Sequence, residues 1–215
     1  MNGLLYKDLA NLNSTLKYLA LMTLVFSIIF IPMGNELPVF IILAMSGAML
    51  PVTAISYDTT ARWDKYAITL PLTRKEIVKS KYLLMLIATV GAGVICLAIS
   101  LIMTILMPGK GIFLSVIDPI PLIALFVVCG LLLGSTALPL VFKLGAEKMQ
   151  YIILIIVLVP IMLAVGLSAA VYSSIGIEIN MPPLMVLIAA AAVITAAAVW
   201  ASYRISAGIY TKKEF

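Results

Sequence analysis

Six apolar stretches, at about 19–33, 38–56, 83–107, 120–142, 150–171 and 184–204, take up most of this 215-residue sequence. A helix that crosses a bilayer needs roughly 20 consecutive apolar residues, and these stretches approach or reach that length. No other feature narrows the fold so far, because backbone polar groups in lipid find no water and must be satisfied within the helix itself. The sequence therefore predicts an all-α membrane protein with six transmembrane helices. The first stretch is short and is expected to borrow residues from the segment before it. With 64% hydrophobic and only 11% charged residues, the chain lacks the polar surface that a soluble core of this size requires.

Proline and glycine mark the breaks: PMGNELP at 32–38, PGKG at 108–111, DPIP at 118–121 and NMPP at 180–183. Between the fourth and fifth stretches only Lys143 to Gln150 remain, a tight hairpin. Sidedness follows from the cations. Lys7, Lys17, Arg62, Lys65, Arg74, Lys75, Lys79, Lys81, Lys143, Lys148, Arg204, Lys212 and Lys213 fall on one side, and Lys110 alone falls on the other. Lys and Arg collect on the cytoplasmic face, so both termini are expected there. The same bias explains the net charge of +5 without nucleic acid, which we exclude as a partner.

Ahead of the first stretch, Leu5, Leu9, Leu12 and Leu16 recur every three or four residues, while Lys7, Asp8, Asn11 and Asn13 lie elsewhere around the wheel. This pattern predicts a helix over 1–18 lying in the membrane interface, its leucine stripe in the acyl chains. A cytoplasmic extension of the first span is the alternative. No A-x-A-like cleavage site follows, so the first stretch is read as a retained span. Alanines crowd the last stretch from Ala189 to Ala201, which suits close helix packing within the subunit or against a second copy. Pro139 and Pro160 are expected to open their helices locally, freeing carbonyls.

What is missing limits the chemistry. There is no histidine, and Cys96 and Cys129 both lie within apolar stretches, so a Cys/His metal site is not expected. The stretches hold no ionisable residue before Arg204, whereas ion-coupled carriers place acids or bases at membrane depth. Asp118 and Glu178 sit at the outer edge, where a hydrated carboxylate is the default. No GxxxxGK[ST] loop is present, and serines and threonines have no base beside them. The chain is not expected to be an enzyme or a self-powered pump; any work it does must be driven from outside.

The polar chemistry is concentrated in residues 58–82. These read as two short helices broken at Leu70-Pro71, the first about 58–67 and starting at Asp58. The second starts at Thr73, where Thr73-x-x-Glu76 has the spacing of a capping box. Two readings are open on the residues alone. One is a rigid knob that docks on a cytoplasmic partner. The other is an interfacial belt, with Trp63, Tyr66 and Tyr82 at headgroup level.

The run Trp63-Asp64, then Leu70-Pro71-Leu72-Thr73-Arg74-Lys75-Glu76-Ile77-Val78, then Lys81-Tyr82 resembles the signature loop of ABC-2 type permeases. These are the six-span membrane subunits of bacterial ABC exporters. It is most similar to the small stand-alone group that includes exporters of phenol-soluble-modulin-like cytolytic peptides. The resemblance implies one transmembrane permease domain over 1–215, with 1–18 as an elbow helix and 58–82 as a cytoplasmic coupling loop. It implies that Arg62, Trp63, Asp64, Lys65 and Tyr66 form the coupling helix, with Thr73 and Glu76 capping the helix that follows. The implied partners are two copies of a separate ABC ATPase, which bind ATP and Mg, together with a second permease copy, identical or related, and membrane lipids. No cofactor is implied for this chain, and the implied location is the bacterial plasma membrane. Only Tyr172 to Pro183 separate the last two stretches, which disfavours hand-over of polysaccharide to outer machinery. An apolar pathway rich in methionine suits an amphipathic or hydrophobic cargo, peptide above all. The alternative is a non-transporting immunity or anchor protein whose loop docks a cytoplasmic partner.

Overall fold

The computed structural model describes residues 2–67, 69, 73–106, 119–145 and 181–212, and among these every regular element is helical. The helices are α1 (Asn2–Asn11), α2 (Asn13–Phe30), α3 (Leu37–Thr60), α4 (Trp63–Ala67), α5 (Arg74–Leu106), α6 (Pro119–Leu144) and α7 (Met181–Thr211). Five of them, α2, α3, α5, α6 and α7, are long and apolar enough to cross a membrane. The expected span at 150–171 and the turn at 108–111 lie outside the described residues.

Several boundaries differ from expectation. The first span begins at Asn13 rather than near 19, and the helix before it ends at Asn11. The two follow each other with only Leu12 between them, and helical bonds continue across it: its N–H reaches Asp8 O at 3.0 Å and its carbonyl receives Leu16 N–H at 2.8 Å. The last helix is longer than its apolar stretch, starting at Met181 with Pro182 and Pro183 in its first turn and continuing to Thr211. Proline fits there because the first N–H groups of a helix have no partner within it.

Between α2 and α3 the chain turns at Gly34, whose φ of +72° suits glycine. The Leu37 N–H then bonds the Asn35 side chain at 3.2 Å as α3 begins. The core is built by α3, α5 and α6, with α7 packed on α6 and α5. Small residues allow the close approach. A Cβ on Gly47 of α3 would lie 3.1 Å from both Ala88 O and Thr89 Cα of α5, and one on Gly134 of α6 would meet Met85 Sδ at 2.5 Å. In lipid, where apolar surface gains little by leaving its solvent, such backbone contact is what holds helices together.

By contrast, α2 buries none of its residues and leans on α3. An apolar groove of about 600 Å³ opens between α2 on one side and α3 and α5 on the other, reaching from Leu9 to Ile95. The alanines of α7 are mostly exposed within the chain, including Ala189, Ala190, Ala192, Ala196 and Ala197. Cys96 is buried and Cys129 exposed, both free thiols.

At one end of the bundle the last turns of α3, α6 and α7 meet the first turns of α5. Ile55, Ile77, Tyr82, Val141, Phe142 and Tyr210 form a shared cluster there, closed by an edge-to-face pair of Phe142 and Tyr210 at 5.5 Å. Lys7, Arg62, Arg74, Lys81, Lys143 and Lys212 belong to the segments that converge on this end.

Candidate functional site

The segment joining α3 to α5 folds onto that cation-rich end. After Thr60 the helix closes with Ala61 N–H on Tyr57 O at 2.9 Å and Arg62 N–H on Thr59 O at 3.1 Å. Arg62 then takes a φ of +50°, the one non-glycine residue with positive φ among those described. A β-carbon in the left-handed region costs about 1–2 kcal/mol, which glycine would avoid.

From this turn α4 runs for a little over one turn, and its faces differ. Ala67 is buried in the shared cluster and Trp63 packs against it, four residues earlier on the same face. Tyr66 points away and is 75% exposed, as is much of Arg62. Asp64 and Lys65 belong to α4, and their side chains lie outside the described residues. Thus Trp63, one of the residues assigned to the coupling helix, packs on the core and seats α4 there. Lys7 of α1 sits over its ring, 3.8 Å from the centroid, a cation–π contact.

The start of α5 is fixed twice. Thr73 N–H and Oγ1 each donate to Glu76 Oε2 at 2.8 Å, and Glu76 N–H returns a bond to Thr73 Oγ1 at 3.3 Å. These donors hold the Glu76 carboxyl below its usual range. Arg74 reaches across to the end of α7, its Nη1 donating to Thr211 O at 2.9 Å and Tyr210 O at 3.4 Å. A guanidinium there meets the negative end of the α7 dipole and carbonyls that the helix leaves unpaired.

Beside this segment lies a cluster that the sequence did not disclose. Lys81 Nζ donates to Asp8 Oδ1 at 2.8 Å and to Asp58 Oδ2 at 2.6 Å, while Lys7 Nζ lies 2.6 Å from Asp58 Oδ1 and 3.2 Å from Asp8 Oδ1. Two acids and two bases alternate around a square that ties α1, α3 and α5 together. Two expectations are corrected here, and a third residue is more buried than its place in the chain suggests. Asp58, expected to open the first loop helix, lies in the last turns of α3 and is 6% exposed. Asp8, assigned to the polar side of the α1 wheel, is 1% exposed. Lys81, counted among the cations of the cytoplasmic side, is 2% exposed.

The reason is geometric: Leu4, Asp8 and Leu12 are spaced by four and share the face of α1 that meets α3 and α5, whereas Leu9 and Leu16 are turned outward. The alternation Leu4-Asp8-Leu12 is the signal that was available. Tyr82 is corrected as well. It is buried among α5, α6 and α7 rather than placed at headgroup level, with its hydroxyl bonded to Ser202 and Ser206.

Comparison with known proteins agrees with this architecture. A family model described as ABC-2 family transporter protein matches residues 3–211. No curated protein and no solved structure matches the chain. Coverage of nearly the whole sequence settles the family: the chain belongs to the ABC-2 family of transporter membrane proteins. With five helices able to cross a bilayer, it is a multi-pass membrane protein. Proteins of this family are membrane subunits, generally not catalytic themselves, and membership implies partnership with an ABC ATPase subunit.

Proposed function

From that membership we propose that this chain is the permease of an ATP-driven exporter in the bacterial plasma membrane, with six spans and both termini in the cytoplasm. Two copies, identical or related, enclose the pathway, and two ATPase subunits that bind ATP and Mg drive them. The match over residues 3–211 is the observation that carries the permease reading. The gathering of cations at the end of the bundle where α4 sits supports the orientation.

In this reading α4 is the coupling helix, and its build supports the role. Trp63 and Ala67 seat it on the core, Tyr66 and Arg62 face outward, and Arg74 and the Thr73–Glu76 box hold its exit. A non-glycine residue kept in a left-handed turn is a local cost that a presented side chain explains. α1 is the elbow helix. The cargo is amphipathic or hydrophobic, with peptide the leading class, because the five described spans carry long apolar stretches, with their charges toward one end. ATP binding closes the ATPase pair, displaces α4, and shifts the spans between inward- and outward-open states.

The test is purification of the tagged chain from native membranes in mild detergent, with identification of bound proteins and an ATPase assay. An ABC ATPase is expected in comparable amount, with Arg62→Ala and Tyr66→Ala lowering the stimulated ATP hydrolysis while assembly of the permease persists. Recovery of the chain alone, from membranes that contain such ATPases, would refute the exporter and leave an anchor or immunity protein.

A further inference from the structure

We infer that the buried Lys7–Asp8–Asp58–Lys81 square makes α1 part of the coupling apparatus, so that α1 and α4 move as one body when nucleotide acts. The inference rests on the coupling role proposed above for α4. Asp58 lies in the last turn of α3, shortly before α4, and Lys81 lies in the first turns of α5, after it. The square therefore clamps both ends of the segment that carries α4. Asp8 and Lys7 supply the other half from α1, and Lys7 also caps the Trp63 ring of α4 itself. A load applied to α4 reaches α1 through charge-assisted bonds of 2.6–2.8 Å on one side and a cation–π contact on the other.

Stability does not account for the arrangement. Desolvating four ionised groups offsets much of their attraction, and apolar residues of similar volume commonly hold a fold as well or better. One acceptor, Asp8 Oδ2, is buried with no hydrogen-bond partner among the described residues, a cost that a leucine would not incur. What apolar contact lacks is register. The leucines of α1 can slide along the groove they pack against, whereas alternating charges accept a single alignment of α1 with α3 and α5. Asp8 and Lys81 are thus positioning residues: they fix where α1 stands relative to α4 without meeting nucleotide or cargo.

The experiment is hydrogen exchange on the complex of this chain with its ATPase in lipid nanodiscs, with and without MgATP plus vanadate. Protection is expected to change together, and with the same sign, in peptides covering α1 and α4. In Asp8→Asn the α4 response is expected to persist and the α1 response to be lost. The variant K7M/D8L/D58L/K81M keeps the packing without the charges, and the same loss is expected there should Asp8→Asn fold poorly. An α1 that stays silent while α4 responds in the unsubstituted chain would overturn the inference and leave the coupling role of α4 standing. So would an α1 response undiminished in both variants. If α4 itself fails to respond with the ATPase bound, the coupling reading falls and this inference with it.

Discussion

Removing the Ser202 hydroxyl should destabilise the bundle, and by an amount that depends on Pro139. Proline has no N–H, so the carbonyl of Ser135, four residues earlier in α6, receives no helical bond. Ser202 of α7 donates to it instead. A hydroxyl has one proton, so Tyr82 must donate to Ser202, and by the same count Ser206 donates to Tyr82 at 2.8 Å. The result is a directed chain, Ser206 to Tyr82 to Ser202 to Ser135, all of it buried. Ser202→Ala leaves the Ser135 carbonyl unpaired, which costs about 1–3 kcal/mol in a buried site. Hydrogen bonds between membrane helices measure at the low end, up to about 1.7 kcal/mol, so we expect about 1–2 kcal/mol. In a Pro139→Ala background the new N–H can serve that carbonyl, and the cost of Ser202→Ala should fall by about 1 kcal/mol. The assay is reversible unfolding in mixed micelles followed by tryptophan fluorescence, over the four corners of the double-mutant cycle. Equal costs in both backgrounds, within about 0.3 kcal/mol, would show that Ser202 acts through Tyr82 alone and that the proline defect needs no relief.

Three further outcomes are expected. Gly47→Ala forces a Cβ to 3.1 Å from the α5 backbone, whereas Gly91→Ala meets nothing within 4 Å. The former should be less stable than the latter by about 1–3 kcal/mol in the same unfolding assay, and parity would refute the close approach of α3 and α5. Lys81→Met leaves two buried carboxylates sharing one lysine and should cost about 3–5 kcal/mol, while K7M/D8L/D58L/K81M should lie within about 1 kcal/mol of the unsubstituted chain. A quadruple variant as unstable as the single one would contradict that account.

Glu36, at the start of α3, is buried and its pKa is raised above 4.5 by desolvation, with the Ser100 hydroxyl opposing. Its protonated form is the one the fold favours. Its contribution to stability is therefore full below pH 4.5 and is lost as pH rises through the folded value. Glu36→Gln should raise melting temperature at neutral pH and flatten that part of the pH profile; an unchanged profile would refute it.

The described helices, their Pro and Gly breaks and the collection of cations at one end follow from local rules, since each depends on a run of neighbours. Apolar length sets a span, a missing N–H ends or opens a helix, and Thr73 and Glu76 are near enough to bond whatever surrounds them. The carbonyl freed at Pro139 was expected for the same reason; that Ser202 meets it was not, because the two are 67 positions apart.

Asp8, Asp58 and Lys81 show where local rules stop. Read along the chain they are ordinary charges at the edges of apolar stretches, and solvation is the sensible default for each. Their burial depends on α1 lying against α3 and α5, with Leu4 and Leu12 carrying Asp8 inward. So the sequence alone determined that this is a helical membrane protein, that a Pro/Gly turn separates α2 from α3, and which end of it is basic. Only the tertiary structure decided which charges are partners, that Trp63 packs on the core while Tyr66 is exposed, and that Lys7 and Asp8 of α1 pair with Asp58 and Lys81. Pairing energies depend on distance in space, and no periodicity within a single helix records the neighbour across from it.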